Sequence, residues 1–68
     1  MAELREQMID AQVAYYRAQI DRHRVNIEIL LEKRVGVAEH PDVLETIDQE
    51  LGQMVEYIDK LSAINTYF

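Results

Sequence analysis

Hydrophobic residues recur in alternating steps of three and four along both halves of the chain. The first stripe is Ile9, Val13, Tyr16, Ile20, His23, Ile27 and Leu30, and the second is Leu44, Ile47, Leu51, Met54, Ile58, Leu61 and Asn65. Such steps keep side chains on one side of a helix. We therefore expect an all-α fold: a single domain over residues 1–68, built as an antiparallel two-helix hairpin with helix 1 at about 2–34 and helix 2 at about 41–64.

The segment between the stripes has the residues of a tight connection. Gly36 can adopt the left-handed conformation that ends a helix, and Pro41 suits the first position of the next one. Asp42 and Glu45 have the spacing of a capping box. A loop of about six residues is long enough to close the hairpin.

This connection sets a register between the two stripes, which together form the predicted hairpin core except for Asn65. The expected pairs are Leu30 with Leu44, Ile27 with Ile47, His23 with Leu51, Ile20 with Met54, Tyr16 with Ile58, and Val13 with Leu61. In this register residues 2–8 extend beyond helix 2, unless Tyr67 and Phe68 fold over them.

Helix 1 carries a further stripe, displaced from the first by about half a turn. Its members are Leu4, Met8, Ala11, Tyr15, Ala18, Arg22, Val25 and Ile29. Helix 2 can cover only one side of helix 1, so this stripe predicts a dimer interface with a second copy. A two-fold axis near Tyr16 and Arg17 would pack helix 1 against helix 1 and give a four-helix bundle.

Size and composition also favour association. A chain of 68 residues without cysteine has no disulfide or thiolate metal site to support a small core. The chain has no apolar run of about 20 residues, and Met1 is followed by charged residues. We expect a soluble, cytoplasmic homo-oligomer with no membrane partner and no cofactor.

The charge is concentrated in the second half, where seven acidic residues accompany Lys60 as the single base. An acidic surface repels phosphate backbones, so we expect no nucleic-acid partner. The same surface leaves open a role as a nucleic-acid mimic that blocks a DNA-binding protein.

Two residues break the helical pattern. His23 lies in the first stripe, where it is either a packed histidine with one hydrogen-bond partner or a pH-sensitive group, and we favour packing. Gly52 costs helix stability, so we expect it to make room for a bulky neighbour such as His23 or a tyrosine.

Four carboxylates on helix 2 provide the alternative of an enzyme. They are Glu45, Asp48, Glu56 and Asp59, which place two acid-x-x-acid pairs on one face, as in helical magnesium-dependent hydrolases. No helix 1 residues complete a nucleotide pocket, so a solvated face is the favoured interpretation. We expect no catalytic residues and no metal, with a Mg²⁺- or Mn²⁺-dependent hydrolase as the alternative.

Aromatic residues near the end of the chain form a candidate surface for a protein partner. This predicted partner patch comprises Tyr57, Ile64, Tyr67 and Phe68. Together with the acidic charge, it favours a non-enzymatic, self-associating interaction or assembly module.

Three segments resemble short uncharacterised helical proteins of tailed marine bacteriophages. They are residues 26–32 (NIEILLE), 35–42 (VGVAEHPD) and 57–61 (YIDKL), and the resemblance covers about half of the chain. It implies a phage source, an assembly or host-modulating role, and a location in the host cytoplasm. It transfers no functional residues.

Overall fold

The computed structural model describes residues 3–32 and 42–68 of the chain. Two helices account for nearly all of them: α1 spans Leu4–Glu32 and α2 spans Val43–Tyr67. The predicted helix-ending Gly36, the loop and the predicted helix start at Pro41 lie outside the described residues. The two helices pack side by side in an elongated body of 58 × 18 × 11 Å.

The helices run antiparallel, as contacts at the two ends of the hairpin show. Near one end, the Arg5 guanidinium donates a hydrogen bond of 2.8 Å to the main-chain oxygen of Phe68. Toward the other, the Asn26 amide donates one of 3.3 Å to the Glu50 carboxylate. The predicted two-helix hairpin is therefore confirmed.

The start of α2 differs from the predicted capping box. The Asp42 side chain makes no cap hydrogen bond. Its main-chain oxygen instead accepts from both the Thr46 amide, at 2.8 Å, and the Thr46 hydroxyl, at 2.9 Å. The first turn is thus closed by Thr46.

The end of α2 lies three residues beyond the predicted one, at Tyr67, and the Phe68 amide donates to the Ile64 carbonyl at 3.2 Å. This extra turn brings Phe68 to Arg5. The longer α2 therefore reaches the described start of α1, which does not overhang. Tyr67 and Phe68 do not fold over it, because α2 stays helical to Tyr67 and both side chains are largely exposed.

The side of α2 that faces α1 differs from the predicted one, and every second residue of the predicted stripe lies outside the contact. Leu44, Leu51 and Ile58 are 78%, 45% and 41% exposed, so they do not form the hairpin core. The less exposed side of α2 is Val43, Thr46, Ile47, Glu50, Met54, Tyr57, Leu61 and Ile64. The expected positions Ile47, Met54 and Leu61 are shared by both seams, whereas Val43, Glu50 and Tyr57 replace the three leucine and isoleucine residues.

The α1 side of the seam follows the sequence prediction. The seven expected residues, Ile9, Val13, Tyr16, Ile20, His23, Ile27 and Leu30, are all buried or half-buried. In the described part of the chain, however, His23 is the one buried residue and no apolar side chain is buried. The hairpin covers its own hydrophobic residues only in part.

Gly52 does not make room for a neighbour, contrary to the sequence prediction. A Cβ atom built at Gly52 would meet nothing within 4 Å. The residue lies on the outer side of α2, away from His23, because the rotation of the helix places Glu50 in the seam instead. Gly52 therefore adds backbone freedom to an exposed helix interior without filling a packing need.

We expect Gly52→Ala to stabilise the hairpin by about 1 kcal/mol, because alanine loses less conformational entropy in a helix than glycine. Thermal unfolding followed by circular dichroism at matched protein concentration measures the change. Ser62→Ala, at another exposed α2 position, should stabilise by no more than about half of that amount. A Gly52→Ala chain that melts at a lower temperature than the parent would show that another group fills the space beside Gly52.

Candidate functional site

The centre of the hairpin contains a polar layer formed by His23, Glu50 and Asn26. His23 is 5% exposed, and its Nδ1 lies 2.5 Å from Oε2 of Glu50. The Asn26 amide donates to the same oxygen at 3.3 Å. An ionised carboxylate can only accept hydrogen bonds, so Nδ1 of His23 carries the proton in this pair. In the described part of the chain, no buried side-chain nitrogen or oxygen lacks a hydrogen-bond partner.

These hydrogen bonds lower the pKa of the Glu50 carboxyl below its ordinary value. The His23 contact is the largest cause and the Asn26 amide is the second, because both stabilise the ionised form. Partial burial acts in the opposite direction and is outweighed. Glu50 is therefore ionised at neutral pH and holds the imidazole in one orientation.

The lowered pKa of Glu50 predicts an acid-sensitive contribution to stability. The folded chain holds this proton less tightly than the unfolded chain, so the contribution is complete above the ordinary glutamate pKa of about 4.3. It is lost as the pH falls from there through the lower folded pKa. In urea titrations at descending pH, the stability advantage of the parent over Glu50→Gln should shrink across this window.

The matched control for this titration is Glu28→Gln, which removes a carboxylate from an exposed position of α1. Its stability difference from the parent should vary much less over the same pH range. Equal pH dependence in the Glu50→Gln and Glu28→Gln difference curves would contradict the assigned role of Glu50.

Three tyrosines extend the polar layer along the seam. Tyr57 stacks on the His23 imidazole at a centroid distance of 6.0 Å and meets the Tyr15 ring edge-on at 5.9 Å. Tyr16 lies 6.3 Å from Tyr57. The Tyr15 hydroxyl raises the pKa of the Tyr57 phenol, and the Lys60 ammonium lies 5.3 Å from the Tyr57 centroid. Tyr57 thus belongs to the hairpin interior.

This placement divides the predicted partner patch. Tyr57 is half-buried between the helices, whereas Ile64, also half-buried, lines a groove together with Phe68. Tyr67 and Phe68 remain largely exposed. The predicted patch is therefore split between interior and surface positions, and its role in binding a partner stays a prediction.

The polar layer is suited to packing. A histidine oriented by a carboxylate can serve as a general base when substrate reaches its second nitrogen. With 5% of its surface exposed and its ring stacked on Tyr57, His23 does not offer that access. The arrangement matches the packed histidine that the sequence favours.

The four candidate metal-binding carboxylates of α2 are all exposed. Glu56 forms an ion pair of 3.2 Å with Lys60, which raises the pKa of the lysine. Among residues 3–32 and 42–68, no group of three or more histidine, aspartate or glutamate side chains is placed to hold a metal ion. The geometry provides no assembled site for the hydrolase alternative, which stays a prediction from sequence.

The further stripe of helix 1 forms an exposed apolar face on α1, which we call the α1 outer stripe. All eight predicted interface residues are exposed: Leu4, Met8, Ala11, Tyr15, Ala18, Arg22, Val25 and Ile29. A groove of about 630 Å³ follows one end of this face. Its lining residues are Leu4, Arg5, Met8, Ile9, Gln12, Tyr16, Lys60, Ala63, Ile64 and Phe68. A smaller groove of about 240 Å³ adjoins Ile29 toward the other end.

Rotation of α2 exposes a second apolar face, which contains three residues predicted for the core, Leu44, Leu51 and Ile58. Leu44, Leu51, Val55 and Ile58 form this α2 outer stripe, and each is at least 41% exposed. Leu51 lies on the opposite side of α2 from Lys60, because nine residues correspond to about two and a half helical turns. Lys60 lines the groove beside the α1 outer stripe. The two outer stripes therefore lie on opposite faces of the hairpin.

Comparisons of the chain with protein-family models, with curated proteins and with solved structures gave no match. In the part of the chain that the structure describes, neither helix has the length and apolar character needed to cross a membrane. Functional inference for this chain therefore rests on its surfaces and its polar layer.

Proposed function

We propose that this chain is a non-enzymatic helical interaction module that associates with a second copy through the α1 outer stripe. The observation that carries the proposal is the missing core: no apolar side chain of the described residues is buried within one hairpin. A domain of this size is marginal even with a complete core. Burial of the α1 outer stripe by a second chain supplies the lacking contacts.

The proposed arrangement is a two-fold, antiparallel pairing of α1 with α1. It places Tyr15 opposite Ala18, Met8 near Val25, and Leu4 near Ile29 of the second copy. Small side chains near the middle of the stripe allow close approach of the two helices, and the resulting object is a four-helix bundle with α1 at its centre.

The two grooves lie at opposite ends of the α1 outer stripe. Leu4 and Met8 line the larger groove, and Ile29 lines the smaller one. In an antiparallel pair, Leu4 and Met8 of one copy meet Ile29 and Val25 of the other, so each end of the stripe is covered by apolar side chains.

Disulfide trapping between single-cysteine variants tests the proposal, since the natural chain has no cysteine. Met8→Cys and Val25→Cys are mixed under oxidising conditions and the linked species are identified by mass. The proposal predicts preferential linkage between the two different variants, because their Cα atoms come within disulfide range only in the antiparallel pair. Preferential linkage of each variant with itself, or no linkage above that of exposed Ser62→Cys, would contradict it.

A further inference from the structure

The strongest feature outside the proposed dimer is the α2 outer stripe. Leu44, Leu51, Val55 and Ile58 form a continuous ridge, because they lie three, four or seven residues apart along α2. They are 78%, 45%, 50% and 41% exposed. Pairing of α1 with a second copy leaves this ridge open, since it lies on the opposite face. An apolar ridge of this length on a small protein is typical of an interaction surface.

Acidic residues border the ridge on its outer edge. Asp48 follows Leu44 by four residues and Asp59 follows Val55 by four, so each lies beside the ridge on the helix surface. Glu45 lies three residues before Asp48. All three are exposed, and none forms an ion pair with another described residue. They account for three of the four carboxylates that the sequence offered as metal ligands.

The inner edge of the ridge is bordered by α1. Arg17, Arg24 and Leu31 lie on the side of α1 next to the ridge, since each directly follows a seam residue, Tyr16, His23 or Leu30. The other side of the α1 seam, with Gln12 and Asn26, lines the two grooves instead. Arg24 lies 3.6 Å from Asp21 on its own helix, and exposed Leu31 extends the apolar surface toward Leu44.

The same charges disfavour a second copy of this chain on the ridge. A two-fold antiparallel contact centred on Leu51 would pair Leu44 with Ile58, but it would also set Glu45 of one chain against Asp59 of the other. Like charges across an interface oppose association. The ridge therefore calls for a partner of opposite charge.

We propose that the α2 outer stripe binds an amphipathic helix of another protein, apolar on one face and basic along the edge that meets Glu45, Asp48 and Asp59. The apolar face of that helix covers Leu44, Leu51, Val55 and Ile58, in the helix-on-helix mode of recognition. Its lysine or arginine side chains pair with the three carboxylates, which fix its direction and speed its encounter.

The test uses two fluorescent synthetic helices with the same leucine seam. Along the edge that meets Glu45, Asp48 and Asp59, one carries lysine and arginine and the other carries glutamate. Both carry neutral glutamine along the edge that meets Arg17 and Arg24. Fluorescence anisotropy with the full chain should show binding of the basic helix and at least about tenfold weaker binding of the acidic one. Rising salt should weaken the basic complex. Equal affinity for the two helices, or no binding of either, would overturn the proposal.

Variants then locate the contact. Leu51→Gln should weaken binding of the basic helix about tenfold, because this residue lies at the centre of the ridge. The Glu45→Gln, Asp48→Asn and Asp59→Asn triple variant should weaken it by a similar factor and abolish most of the salt dependence. Gln49→Ala is the control and should bind as the parent does, because Gln49 is exposed and lies two residues before Leu51, on the other side of α2 and outside both outer stripes. Circular dichroism confirms that each variant is helical.

Two results would contradict this assignment of the ridge. Unchanged binding to Leu51→Gln would show that the basic helix binds elsewhere. Sedimentation of the parent as a larger species than the Leu51→Gln variant would show that copies of this chain occupy the ridge. Neither result depends on the α1 pairing, so failure of this proposal is distinguishable from failure of the dimer.

Discussion

Ala18→Glu is expected to convert the proposed dimer into monomeric hairpins. Ala18 is exposed in the single chain, and Arg22 follows it by one helical turn, so glutamate there is compatible with α1. In the dimer the same side chain would enter the closest approach of the two helices, opposite Tyr15. Each copy should oppose association by about 2 kcal/mol, and a two-fold interface holds two copies. The dimer dissociation constant should rise about a thousandfold.

Analytical ultracentrifugation over a range of concentrations measures this change. Ser62→Glu is the matched control, because it adds the same charge at an exposed α2 position outside the α1 outer stripe. The control should associate as the parent does. An Ala18→Glu chain that remains dimeric at the concentrations where the parent is dimeric would show that the interface lies elsewhere.

His23→Ala should have the largest effect on the hairpin itself. It removes the one buried residue of the described chain and leaves the Glu50 carboxylate without its closest hydrogen-bond donor. Loss of a buried, charge-assisted hydrogen bond together with the cavity predicts a loss of about 2 kcal/mol in the free energy of unfolding. Chemical denaturation at fixed protein concentration measures it, because association also contributes to stability.

Two further variants separate the hydrogen bond from general packing. Arg17→Ala, at an exposed position of α1, should change stability by no more than about 0.5 kcal/mol. The double variant His23→Leu with Glu50→Leu should recover most of the loss, since an apolar pair leaves no polar group unsatisfied. A His23→Ala chain as stable as the parent would show that the polar layer does not stabilise the hairpin.

The double variant also tests whether the polar layer selects the rotation of α2. With leucine at positions 23 and 50, α2 could pack on α1 through position 50 or through Leu51 with similar free energy. We expect NMR amide resonances of α2 to broaden or double as the two seams exchange, whereas the parent gives one sharp set. A single sharp set in the double variant would mean that other contacts, such as those of Tyr57, fix the seam.

The hairpin and the α1 seam could be predicted from sequence because they depend on periodicity alone. Helix 1 carries two apolar stripes on different sides, and helix 2 can cover only one of them. The stripe from Ile9 to Leu30 matches the helix 2 stripe in steps of three and four. The choice of outer stripe on α1 followed from the same count, and its residues are exposed in the structure.

The α2 seam could not be decided in this way because two overlapping stripes share Ile47, Met54 and Leu61. Hydropathy favours Leu51 over Glu50, whereas the structure turns Glu50 toward α1. The signal that could have identified the seam is chemical: a histidine in a buried stripe requires a hydrogen-bond partner. Glu50 lies one position from the residue predicted opposite His23, so pairing polar groups before apolar ones would have found it.

The rotation of α2 also explains why an apolar surface lies where the sequence predicted core residues. With Glu50 and Tyr57 inside the hairpin, Leu51 and Ile58 pass from the expected core to the exterior. The ridge on α2 is therefore a consequence of the polar layer. The two apolar outer stripes lie on opposite faces of the hairpin, and we propose one of them for a second copy and the other for a different partner.

The most direct test of the proposed dimer is sedimentation equilibrium of the unmodified chain at micromolar concentration. Pairing through the α1 outer stripe predicts a particle of twice the 8.0 kDa chain mass, which dissociates as the concentration falls. A stably folded, helical monomer across the same range would contradict it, because such a hairpin would need no second chain to cover the α1 outer stripe.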